Sequence, residues 1–134
     1  KVDVEKSIHG SATVATGMKQ FAELMASLDQ EEKDVAAGKI SIKESDERSR
    51  SVFAPRMAEV LKTLRNGYLP PSDPRMPVLK ATIRMGELME ESLAMQSVYQ
   101  PGSNIPVPAD PARAAEIKRE MVAVMATINK ASSQ

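Results

Sequence analysis

The sequence predicts an all-α protein, an antiparallel four-helix bundle of up-down-up-down order, and three observations carry that expectation. Apolar residues recur at steps of three and four along four separate stretches, the spacing of a helix face. Proline-rich segments separate those stretches and stop them from merging. Nine methionines against four aromatic residues indicate a core filled by flexible thioethers on helices. The whole chain, residues 1–134, fits one domain, large enough to bury roughly two thirds of the surface its unfolded form exposes.

The first helix is expected over residues 4–37. Val14, Met18, Phe21, Met25 and Leu28 follow at steps of four, three, four and three, which is a helix seam and not a strand alternation. Val4 and Ile8 extend the same face, while Gly10 and Gly17 each cost about 1 kcal/mol in a helix interior. Gly38 suits a left-handed C-terminal cap.

A second helix is expected over residues 41–66. Ser41 followed three residues later by Glu44 reads as a capping box, and Val52, Phe53, Met57, Val60 and Leu64 form its stripe. Pro55 lies inside and removes a hydrogen bond, which predicts a kink or break near Val52.

The linker 67–77 is rich in proline, and a third helix is expected over about 74–99. It carries two adjacent stripes: Leu79, Ile83, Gly86 and Leu93, then Met85, Leu88, Met89 and Met95. Such a helix is either central in the bundle or offers a face to a partner. After a second linker, 101–109, Asp110-Pro111 supplies an N-cap and a first-turn proline for a fourth helix over 110–130, with Ala114, Ile117, Met121, Val124 and Ile128 as its seam.

Composition excludes several functions. Eighteen basic and eighteen acidic residues cancel, so the net field that drives nucleic-acid binding is absent. No apolar run is long enough to form a transmembrane helix. With no cysteine, thiol catalysis and disulfides are ruled out, and the single His9 is too little for a zinc or di-iron site. There is no Gly-x-Ser-x-Gly turn and no phosphate-binding loop. The start at Lys1 without methionine suggests a processed or excised chain and points towards a periplasmic or secreted location.

By exclusion, the expectation is a non-catalytic module that recognises a protein partner, as an extracytoplasmic sensor or adaptor domain would, with no cofactor. The candidate contact residues are Arg84, Met85, Met89 and Met95 on the third helix, with Tyr68 and Tyr99 at two helix exits. Arg84 interrupts an apolar run and can offer its guanidinium to a partner carboxylate or an anionic ligand. A homodimer through the third helix belongs to the same expectation. The segments Tyr68-Leu69-Pro70-Pro71 and Ile105-Pro106-Val107-Pro108 favour extended geometry that a partner can read, or else simply stiffen the crossings. Two alternatives stand beside this: a small-ligand or metal carrier, with copper held by thioethers or haem between His9 and a methionine, and an enzyme using Arg84 with Glu87 or Glu90.

Overall fold

A computed structural model describes residues 4–132. It is an all-α bundle of four helical rods with a single two-residue antiparallel ladder. Helix α1 runs Val4–Ala36, α2 Ile42–Arg48, a π-helical turn Ser49–Phe53, α3 Ala54–Asn66, α4 Met76–Ala94 and α5 Pro111–Ser132; strands β1 Ser97–Val98 and β2 Val107–Pro108 lie between α4 and α5.

Sequence signals set most of the ends. At the end of α1, Lys39 N–H donates to Asp34 O at 2.8 Å and Gly38 N–H to Val35 O at 3.0 Å. That is a Schellman cap, and the φ of +76° at Gly38 is why glycine stands there. Ser41 Oγ accepts from Glu44 N–H at 3.0 Å to start α2, and Asp110 Oδ1 accepts from Arg113 N–H at 3.0 Å to start α5.

Pro55 produces a local rearrangement without parting the rod. Residues 42–66 stay helical throughout, and the π-helical turn sits immediately before the proline. Ala54 N–H reaches back five residues to Ser49 O, so the ring enters a widened turn and not a regular α-turn with which it would clash. Ser49 and Ser51 hydroxyls donate to the Ser45 and Glu47 carbonyls at 3.1 and 3.0 Å, adding partners where the ladder is irregular.

The helices pack as a row: α1 along α3, α3 along α4, and α4 along α5. Gly10 meets Tyr68 at one end of the first interface and Glu31 meets Arg48 at the other, so α1 and the α2–α3 rod are antiparallel. An added Cβ at Gly10 would lie 2.4 Å from Tyr68 Cβ, and one at Gly17 would lie 2.6 Å from Leu64 Cδ2. Close approach of the two backbones therefore uses both glycines, which offsets their poor helix propensity.

The main core joins Val14 and Leu24 of α1 to Phe53, Met57, Val60, Leu61 and Leu64 of the rod, with Leu69 and Leu79. Met18, Phe21, Met76, Ile83, Met89 and Leu93 pack against it half-buried. Ala81, Met85 and Leu88 are buried outside that cluster, on the side of α4 from which Arg84 and Glu91 reach α5. The two stripes of α4 thus serve two neighbours. Helix α5 lies on the outer side of α4, with Ile117 as its one fully buried side chain among the described residues.

The third predicted helix is too long at its C-terminal end. It stops at Ala94 because Met95 turns extended (φ −64°, ψ 134°), and the following residues pair as β1 with β2.

Candidate partner-binding surface

The loop between α4 and α5 is clasped to α2. Asp46 Oδ1 accepts from Ser97 Oγ at 2.6 Å, and Asp46 Oδ2 accepts from the Tyr99 hydroxyl at 2.8 Å and from Arg50 at 3.1 Å. Arg50, one helical turn after Asp46 and inside the π-helical turn, also donates to Met95 O at 3.5 Å and Ser97 Oγ at 3.4 Å. The Asp46 side chain is only 11 % exposed. Burial pushes its pKa up, but the hydrogen bonds from Arg50, Ser97 and Tyr99 outweigh this and hold the carboxyl below its ordinary value. Tyr99 moves upward, through loss of water and then through its bond to Asp46. Lys43 Nζ stands over the Tyr99 ring at 5.8 Å.

Strand alternation then sets what the loop displays. Successive side chains of a strand point to opposite faces, so Ser97 and Tyr99 turned towards Asp46 send Val98 the other way. Val98 pairs with Val107 across the ladder, and they are 53 % and 37 % exposed. Ile105 beyond them is 65 % exposed. The β1 strand is therefore inverted relative to an ordinary surface strand, with Ser97 towards the protein and Val98 towards water, while both residues of β2, Val107 and Pro108, are exposed.

The tip is ordered by turn chemistry. Ser103 N–H donates to Gln100 O at 3.0 Å around Pro101-Gly102, and Gly102 has φ +78°, the signature of a type II turn. Ser103 Oγ then accepts from Ile105 N–H at 3.1 Å. Ala109 N–H donates to Gln96 O at 2.9 Å and closes the base. Pro106 and Pro108 lack N–H donors, which disfavours adding a further strand here.

Of the residues singled out in sequence, the structure gathers few together. Met85 is buried, 3 % exposed, beneath α5; as a surface contact it is corrected to core. Met89 packs towards the main cluster, and Met95 is half-buried beside the clasp, so the three methionines share no open flank. Arg84 is held by Glu120 of α5 and by Glu87 at 3.3 Å, and Glu87 also accepts from Arg65 at 2.7 Å. That guanidinium is a bracket between helices, and its side chain remains 44 % exposed. A homodimer through the third helix meets the same obstacle, since α3 and α5 cover both its apolar stripes. Tyr68 and Tyr99 stand near opposite ends of the α2–α3 rod, about 30 Å apart by helix rise. Tyr68 N–H donates to Gly10 O at 3.1 Å, and its ring lies under Lys6 at 4.9 Å.

Asp46, Arg50 and Ser97 are the clasp residues that sequence reasoning passes over. The only local signal is the extended Ile105-Pro106-Val107-Pro108 segment, which marks the loop but not its anchor. The methionines are dispersed through the packing, with Met57 and Met85 buried and Met125 exposed. Among the described residues no three His, Asp or Glu side chains converge as a metal site. Comparison of the chain with known protein families, with curated proteins and with solved structures finds no match.

Proposed function

We propose that the protein is a non-catalytic recognition module whose partner contacts the clasped loop between α4 and α5 through Val98, Ile105 and Val107. One observation carries this reading: Ser97 of β1 and Tyr99 just after it turn their hydroxyls inward onto Asp46, while the paired Val98 and Val107 are exposed to water. Exposing valine and isoleucine costs hydration free energy that a partner recovers on binding. Holding the loop in place beforehand lowers the ordering entropy that binding would otherwise expend.

The shape favours a macromolecular partner. These side chains stand on a projecting hairpin, whereas a small molecule is held in a concavity that covers most of its surface. A protein with a complementary apolar recess fits better. The adaptor role expected from the sequence is retained, with the contact moved from the third helix to the loop.

The test is capture of a partner from the native host's extract by the full chain and by Val98→Asp and Ile105→Asp variants. The expected result is loss of a captured species with helicity and melting temperature unchanged. Capture that survives both substitutions would refute the loop as the contact.

A further inference from the structure

None of the seven side chains of α2 is buried. Polar contacts on two adjacent faces hold the helix where an apolar stripe would otherwise do so. Ser45 and Arg48, one turn apart, face α1, and both reach Glu31, Ser45 Oγ at 3.3 Å and Arg48 Nε at 3.0 Å. Asp46 and Arg50 face the loop through the clasp. Glu31 is 7 % exposed and lies beside Leu28 and Val35, so a buried carboxylate on α1 depends on donors that α2 supplies.

Packing around α2 is open on both sides. A cleft of about 260 Å³ separates Leu28, Glu31 and Val35 of α1 from Ser45, Ser49 and Phe53. Another of about 170 Å³ lies between Asp46 and Ser49 on one side and Met95, Ser97 and Pro108 on the other, so Ser49 borders both. The segment also has a natural hinge at each end. Before it, Gly38 has φ +76° and Ser41 is extended; after it, the π-helical turn interrupts regular bonding as far as the buried Phe53. Beyond that turn α3 is fixed by Met57, Val60, Leu61 and Leu64 in the core. An element with few buried apolar contacts opens at a lower free energy than the core beside it.

We infer that α2 and the π-helical turn form a strap that opens as one unit, so that Glu31 on α1 governs whether the loop between α4 and α5 is held. Ser45, Asp46, Arg48 and Arg50 lie within six residues of one helical stretch, and a movement that takes Ser45 and Arg48 from Glu31 also takes Asp46 and Arg50 from Ser97, Tyr99 and the Met95 carbonyl. The coupling is reciprocal: whatever steadies the loop tightens α2 on α1. The strap is a property of the chain alone, while its use rests on the reading that the loop meets a partner. In that use, the apparent affinity of the partner follows the fraction of molecules in which the loop is held, and the C-terminal end of α1 sets that fraction.

Native-state hydrogen exchange of the full chain tests this without a partner. The Ser49 amide, which donates to Ser45 O, and the Ala109 amide, which donates to Gln96 O, are expected to open with one free energy and one denaturant dependence, both below those of amides in the middle of α3. Glu31→Ala keeps helix propensity in α1 and leaves Arg48, 40 % exposed, to water. It should speed exchange at Ala109 about tenfold, the shift that loss of a charge-assisted hydrogen bond brings, with the α3 amides unchanged. Glu32→Ala, the same change of charge on the exposed neighbour, should leave Ala109 as it was. In the other direction, Tyr99→Phe should speed exchange at Ser49. The inference is overturned if Ser49 and Ala109 open independently in the unmodified chain, a comparison that decides even where a variant fails to fold. It is equally overturned if Glu31→Ala leaves Ala109 unchanged or quickens α3 as much, if Glu32→Ala acts as Glu31→Ala does, or if Tyr99→Phe does not reach Ser49. Val98→Asp should leave all these rates intact, so capture of a partner that survives it would sink the loop as the contact while the strap stands.

Discussion

Tyr99 donates its hydroxyl to Asp46 across 53 residues of chain, and Ser97 donates to the same carboxylate from two residues earlier. One side chain on α2 thereby fixes the register of a loop that begins after α4. Arg50 completes the clasp by joining that carboxylate to the Met95 carbonyl. Removing the acceptor costs more than removing one donor, because Arg50, Ser97 and Tyr99 all lose a partner together.

Asp46→Ala is therefore expected to destabilise the protein by about 2–3 kcal/mol, and Tyr99→Phe by about 1 kcal/mol. Thermal melts measure both. Hydrogen exchange at the Ala109 amide, which donates to Gln96 O, should quicken far more in Asp46→Ala than amides in the middle of α3. Equal changes at both places would show that Asp46 supports the whole bundle and not the loop.

The clasp should also limit the pH range in which the loop is held. The folded pKa of Asp46 lies below its ordinary 3.8, so its contribution is present above that value and is lost as pH falls through the folded pKa. Tyr99 moves the other way from 10.0: its contribution is complete below that pH and lost as pH rises through the raised value. Near-ultraviolet circular dichroism of tyrosine should accordingly be flat through neutrality and change at both extremes. In Asp46→Asn the acid transition should vanish from the Tyr99 signal.

How much of this is legible in sequence depends on the distance between the partners. The α1 seam through Val14, Met18, Phe21 and Leu28, the caps at Ser41 and Asp110, and the disturbance before Pro55 are all local and occur where expected, except that Leu24 and not Met25 is the buried residue in the middle of α1. Asp46 is not legible, because it sits in the run Glu44-Ser45-Asp46-Glu47-Arg48, which reads as a solvated helix face. Its role arises only when Ser97 and Tyr99 arrive from elsewhere in the chain. The ion pair of Arg84 is hidden for the same reason: an isolated cation in an apolar run shows no partner until Glu120 is brought beside it. The two stripes of the third helix are read correctly as stripes, but sequence cannot say that a neighbour covers the second.

Gly10 offers a test of the α1 contact. Replacing glycine by alanine in a free helix gains about 1 kcal/mol. Here the new methyl would lie 2.4 Å from Tyr68 Cβ and 2.9 Å from the Tyr68 backbone, so the chain after α3 must move. The expected result for Gly10→Ala is net destabilisation of about 1–3 kcal/mol, read by denaturant titration. A more stable variant would mean that Tyr68 N–H and Gly10 O are not joined in solution.

Met85 and Met125 separate core from surface among residues of one type. At 3 % exposure Met85 is sealed between α4 and its neighbours, and a glutamate there would be a buried carboxylate with no guanidinium to receive it, because Arg84 is already paired. Met85→Glu should therefore cost more than about 3 kcal/mol and detach α5 or unfold the chain. Met125 of α5 is 41 % exposed, so Met125→Glu should shift stability by no more than about 0.5 kcal/mol. Melting curves of the two variants, measured side by side, distinguish the arrangement found here from one in which the third helix is open. Equal tolerance of both substitutions would mean that α5 does not cover α4.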